Sequence, residues 1–99
     1  MISVEEITRI EQIVSSQFGV TVDDAMGKSR KGACVKARHL ILYILHRKQQ
    51  VYVNFLSDRY GMHHRSVEKA CHNFDYFIHS LKEYRGYYEE ACTRIGINP

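Results

Sequence analysis

Apolar residues recur at helical spacing along this chain, and nowhere do they alternate with polar ones for long enough to predict a half-buried strand. Ile7, Ile10, Val14 and Phe18 share one face of a first helix. Ser3 and Glu6 open it at the capping-box spacing, in which each side chain satisfies a backbone donor of the other. Gly19 supplies the stop. Thr21 to Asp24 repeats the capping pattern ahead of a short helical turn that ends by Gly27. A helix from about Ala33 to Lys48 carries Ala37, Leu40, Ile41, Ile44 and Leu45 on its core stripe, with Lys36, His39, Tyr43, His46 and Arg47 roughly opposite. A shorter helix is expected from Tyr52 to Arg59. A long one follows from about His64, with Val67, Ala70, Cys71, Phe74, Ile78 and Leu81 facing inward. Gly86 reads as its interruption, and Tyr88, Ala91, Cys92 and Ile95 as the stripe of a final short helix. The pattern predicts one all-α domain of five to six helices over residues 1–99.

Charge sharpens this picture. The net charge is only +3, but Lys28 to Lys48 contains Lys28, Arg30, Lys31, Lys36, Arg38, Arg47 and Lys48 with no Asp or Glu. The residues before Lys28 carry Glu5, Glu6, Glu11, Asp23 and Asp24 against Arg9 alone. Such asymmetry points to a polyanionic partner. Lys28 to Gly32 is expected to form a basic loop. The apolar run Leu40 to Leu45 is too short to span a bilayer, and the acidic start lacks the pattern of a signal peptide. Cys34, Cys71 and Cys92, odd in number and widely spaced, suit buried free thiols in a reducing cytoplasm.

Val53 to Phe74 carries the most specific pattern. A helix-turn-helix needs a small residue midway along its first helix, a residue tolerant of positive φ in the turn, and apolar residues that lock the two helices together. Ser57 and Gly61 meet the first two needs, four positions apart. Leu56, Tyr60, Met62, Val67 and Ala70 meet the third. The helix from His64 is then the recognition helix, and His63, His64, Arg65, Glu68, Lys69 and His72 project away from its core stripe. Arg65 is suited to guanine edges and Ser66 to a phosphate.

With these residues in place, about Ser3 to Gly96 resembles the C-terminal DNA-binding domain of the bacterial replication initiator DnaA, within the wider Trp-repressor-like group. The resemblance rests on Phe18 to Asp24, the Lys28-Ser29-Arg30-Lys31 loop, Val35 to Leu40, Gly61 to Val67, and Ala70-Cys71. It implies sequence-specific binding of double-stranded DNA, as at a replication origin, and no enzymatic activity. By position, Arg30 matches an arginine that enters the minor groove, and Arg38 and His39 a pair that grips the phosphate backbone. His64 matches the family histidine, and Arg65 and Ser66 the two threonines after it. The implied DNA-binding set is Lys28, Arg30, Lys31, Lys36, Arg38, His39, His63, His64, Arg65, Ser66 and Lys69.

The chain also departs from the family. Its turn is one residue shorter, and His63 stands where the family has Asp, which predicts a poorly capped recognition helix. Arg65 replaces a threonine, Arg38-His39 replaces Arg-Gln, and His72-Asn73 stands where two basic residues are usual. No Gly-x-x-x-x-Gly-Lys-Ser/Thr loop is present, so the initiator's ATPase is not expected here. The chain reads as an isolated domain or a stand-alone relative.

Other chemistry is weakly signalled. The six histidines and three cysteines form no Cys-x-x-Cys or His-x-x-x-His pair, so neither a metal site nor any other cofactor is expected. Tyr84, Tyr87 and Tyr88 cluster beside Gly86 and form a candidate surface for a protein partner. The alternatives to DNA reading are therefore a protein-interaction module that kept the fold, and a ligand-gated regulator like the Trp repressor. The latter requires a pocket between the helices that end near Arg47 and begin near Val53. DNA reading requires Arg30, Arg38 and the exposed side of His64 to Lys69 to share one face.

Overall fold

Helix α1 (Val4–Gln17) starts where its capping signal lies, with Ser3 Oγ accepting the Glu6 N–H at 3.2 Å. Only half of the expected box forms, because the Glu6 carboxylate turns forward to Arg9 at 2.7 Å. Thr21 caps α2 (Val22–Met26) in the same way, accepting the Asp24 N–H at 3.1 Å. After the basic loop comes α3 (Gly32–Tyr43), which runs directly into a single π-helical turn, Ile44–Lys48. Then follow α4 (Val53–Tyr60), α5 (His64–Ser80) and α6 (Lys82–Ile95). The computed structural model describes all 99 residues.

Helix α3 is the central strut, packed against α1, α2 and α5. Leu40, Ile41, Leu42, Ile44 and Leu45 are all fully buried. The expected polar side therefore does not include Tyr43, which is only 7% exposed. Its ring meets Phe74 and Tyr88, and its hydroxyl donates to Asp75 at 2.9 Å. Burial, then the Asp75 carboxylate, pushes that hydroxyl up to about 12. A helix enclosed by three others hides more than one stripe, which is why the amphipathic reading was too narrow here.

Helices α4 and α5 form the helix-turn-helix. Gly61 has φ +61°, the left-handed conformation the turn requires. The Met62 N–H donates to the Ser57 carbonyl at 3.0 Å, and Ser57 Oγ donates to the Met62 carbonyl. Ser57 thus fastens the turn as well as being small. Leu56, Val67 and Ala70 are buried, with Tyr60 and Met62 packed at the core's edge.

The boundary between the last two helices differs from expectation. It falls at Leu81, whose backbone is extended (φ −123°, ψ 119°) and whose side chain is 45% exposed, so Leu81 does not belong to the core stripe. Gly86 lies inside α6, exposed, where a helix tolerates it at a cost of about 1 kcal/mol. The final helix is accordingly longer than expected, and Tyr88, Ala91, Cys92 and Ile95 are its buried residues.

One buried polar group was not anticipated. Glu11 is 4% exposed on the apolar face of α1. Arg59 of α4 holds both its oxygens at 3.0 Å, and the Tyr60 hydroxyl donates to it as well. Burial, then Glu11, drives the Tyr60 hydroxyl far above its usual value, so it remains a donor. The trio ties the first helix to the first helix of the helix-turn-helix. Cutting it is costly because a buried charge loses its partner. Glu11→Ala is expected to lower stability by about 2–3 kcal/mol, short of the fully buried range because Arg59 keeps some contact with water. The check is a lower denaturant midpoint with unchanged slope; a loss below about 0.5 kcal/mol would class the pair with ordinary surface bridges.

Candidate nucleic-acid interface

The outward face of α5 is built by helical spacing. Arg65, Lys69, His72 and Tyr76 recur at intervals of four and three residues opposite Val67, Ala70, Cys71 and Phe74, and all four are exposed. At the helix start, His63 is not the idle cap its side chain suggests. Its Nδ1 accepts the Arg65 N–H at 3.1 Å, which requires that nitrogen to be unprotonated. The Ser66 N–H reaches the His63 carbonyl at 3.0 Å, so the first turn is held at both of these donors. His64, Arg65, Ser66 and Lys69 are left free to project into solvent.

The basic loop is held more firmly than its composition suggests. At Gly27 a Cβ would lie 2.7 Å from the Asp23 carbonyl oxygen, so the loop leaves α2 through a space that only glycine fits. Ser29 Oγ accepts the Lys31 N–H at 3.3 Å. From α3, Arg38 donates through Nε to the Ala25 carbonyl at 2.7 Å and through Nη2 to the Ser29 carbonyl at 2.8 Å. The side chains of Lys28, Arg30 and Lys31 remain exposed.

Arg38 and His39 also line one hollow with Met62, Ser66, Lys69, Ala70 and Asn73. The residue that clamps the loop therefore also borders the flank of α5. His39 lies partly covered in this hollow, and burial, then the neighbouring Arg38 charge, lowers its pKa from 6.5. It is a neutral ring at neutral pH.

Lys36 is placed elsewhere. Its ammonium lies 3.7 Å from Glu83 and above the rings of Tyr84 and Tyr87, at 5.9 and 5.4 Å from their centroids. Of the tyrosine cluster only Tyr88 is buried, while Tyr84 and Tyr87 are half-buried at the core's edge. Tyr88 is 5% exposed against Tyr43, Tyr87 meets Phe18, and Tyr84 meets Phe74 and Phe77.

A second hollow joins the π-helical turn to α5, lined by His46, Arg47, Arg65, Glu68, Lys69, Cys71 and His72. His46 and Arg47 were not among the expected contacts. Their signal in the sequence is the basic segment to which they belong, and the fold sets them beside Arg65. His46 Nδ1 sits 2.8 Å from the Val51 carbonyl, and fully buried Val51 fills the turn toward α4. The hollow at Arg47 thus opens toward α5, not toward Val53 as a ligand-gated regulator requires.

No helix is long and apolar enough to cross a membrane. Cys34, Cys71 and Cys92 are buried free thiols, and burial pushes Cys71 up to about 11.

The state of His39 yields a test without DNA. Because its folded pKa lies below its unfolded one, it contributes stability that is complete above pH 6.5 and is lost as pH falls through the folded value. Unfolding curves of the wild-type chain and His39→Gln should converge or cross as pH falls from 7 to 5, with the wild type losing more. Parallel losses would mean that His39 already ionises freely in the folded state.

No curated protein matches the chain. The family model described as the bacterial dnaA protein helix-turn-helix matches residues 7–73, from the first buried residue of α1 to the hollow-lining Asn73 of α5. This chain belongs to the DnaA helix-turn-helix family, the non-catalytic domain that binds DnaA boxes in double-stranded DNA.

Proposed function

We propose that this chain reads duplex DNA with two elements on one face, α5 in the major groove and the basic loop in the adjacent minor groove. The observation that carries this is the shared position of Arg38, which holds Ser29 of the loop while lining one hollow with Ser66 and Lys69 of α5. His64 and Arg65 then meet base edges near the start of the recognition helix, and Ser66 and Lys69 meet phosphates. Arg30 enters the minor groove, with Lys28 and Lys31 on the flanking backbone. The neutral, half-covered His39 is a hydrogen-bonding contact at the groove's edge. His63 supports the set by capping the helix. Arg47, on the other flank of α5, extends the positive face.

Sequence preference follows from the substitutions in this chain. Arginine reads guanine through two parallel hydrogen bonds, whereas threonine meets a thymine methyl. With Arg65 in the threonine position, the site this chain prefers contains a guanine where the family's usual box offers a thymine.

Lys36 is left out of the proposed face, since Glu83 and two tyrosine rings already engage it. A protein partner at Tyr84, Tyr87 and Tyr88 finds less support, because Tyr88 is buried against Tyr43 and the half-buried Tyr84 and Tyr87 already pack on Phe18, Phe74 and Phe77.

Two substitutions separate base reading from backbone grip. Arg65→Ala should cost about 1–3 kcal/mol on duplexes with the preferred guanine and almost nothing when that base pair is changed. Lys69→Ala should weaken binding to all duplexes alike and lower the slope of log affinity against log salt by about one. Equal losses on every sequence after Arg65→Ala would remove its base-reading role.

A further inference from the structure

Family position makes Arg38 a phosphate contact, yet in this structure its guanidinium is turned inward. Nε and Nη2 donate to two carbonyls, Ala25 in the last turn of α2 and Ser29 within the basic loop. Both bonds are charge-assisted, and Ala25 is a helix-end carbonyl with no partner of its own in α2. The side chain is half-buried, and no carboxylate competes for it.

The geometry points to Arg38 as a positioning residue that sets the reach of the loop, so that the minor-groove contact of Arg30 depends on it. This rests on the two-element reading proposed above. Ser29 is the tethered residue, and Lys28 and Arg30 flank it on either side. Gly27 fixes the loop's entry against the Asp23 carbonyl, and the Ser29 Oγ bond to the Lys31 N–H fixes its exit. Without the clamp the loop keeps its charge but loses its place, and Arg30 must be ordered at the moment of binding. Lysine cannot replace the clamp. It carries the same charge, but its single nitrogen cannot hold both carbonyls in the rigid fork that arginine offers.

Arg38→Lys is therefore the deciding variant, because it preserves charge for a phosphate and breaks the clamp. Without DNA, limited trypsin digestion is expected to cut after Lys28, Arg30 and Lys31 about ten-fold faster in the variant. Cutting after Arg85 and Arg94 in α6 should be unchanged, which separates a loosened loop from a loosened fold. With DNA, Arg38→Lys and Arg30→Ala are each expected to lower affinity about ten-fold and to erase preference only at the base pairs flanking the α5 site. The double variant should be no weaker than Arg30→Ala alone. Gly27→Ala, which disturbs the loop without touching Arg38, should lose the same flanking preference. Unchanged loop cleavage in Arg38→Lys, or losses that multiply to about a hundred-fold with flanking preference intact, would overturn the clamp. Failure of the wild-type chain to prefer any duplex would instead sink the two-element reading, and the digestion would still decide whether the clamp exists.

Discussion

The last turn of α3 and the start of the π-helical turn that continues it lie enclosed in the molecule, and the placing of the basic residues on either side follows from that burial. Six successive residues, Leu40 to Leu45, are buried among α1, α2, α5 and α6. A segment so enclosed leaves charge only to the residues that precede and follow it. The basic side chains among them must emerge or find partners. Lys36 leans onto the tyrosines and Glu83 of α6, and Arg38 hooks the carbonyls of α2 and the loop. His39 stays neutral in the hollow beside α5, and His46 and Arg47 emerge at the π-helical turn.

In the proposed function the loop and the recognition helix act together, and the same burial constraint gives them a shared neighbour. They are far apart in sequence, and Arg38 is the residue that borders both: it holds the Ser29 carbonyl of the loop and lines a hollow with Ser66 and Lys69 of α5. On the other side, the Glu11–Arg59–Tyr60 trio fastens α4 to α1 and so fixes the plane in which the helix-turn-helix sits. Rigid placement matters because a duplex presents its two grooves at a set separation, and a reader ordered in advance loses less entropy on binding.

Local signals were legible in the sequence wherever their physics is local. Ser3 and Thr21 cap their helices, Gly61 takes the left-handed turn, and the stripes Ile7–Val14 and Val67–Ile78 face the core. What escaped were features whose partners lie far along the chain. Tyr43 looked like a surface residue because its hydroxyl partner, Asp75, is on another helix. Leu81 looked like core because the periodic stripe ran on past the point where the chain turns into α6. Gly86 looked like a break, although nothing at that position demands unusual backbone. Glu11 did leave a trace: it falls four residues after Ile7, on the apolar face, where an acid has no business without a buried partner. For the proposed interface, residue type gave the basic loop and α5, but only the structure separates Lys36 from Arg38. Both are basic and two residues apart, and their directions depend on what lies beside each.

In the proposed function the loop and the start of α5 engage one duplex together. The most direct measurement is the backbone amide spectrum of the labelled chain, titrated with a duplex selected from a random pool by the chain itself. Joint engagement is expected to give concerted shifts at residues 28–31 and 63–69, with residues 83–88 of α6 unmoved. Shifts confined to one of the two elements, or centred on the tyrosines of α6, would contradict it.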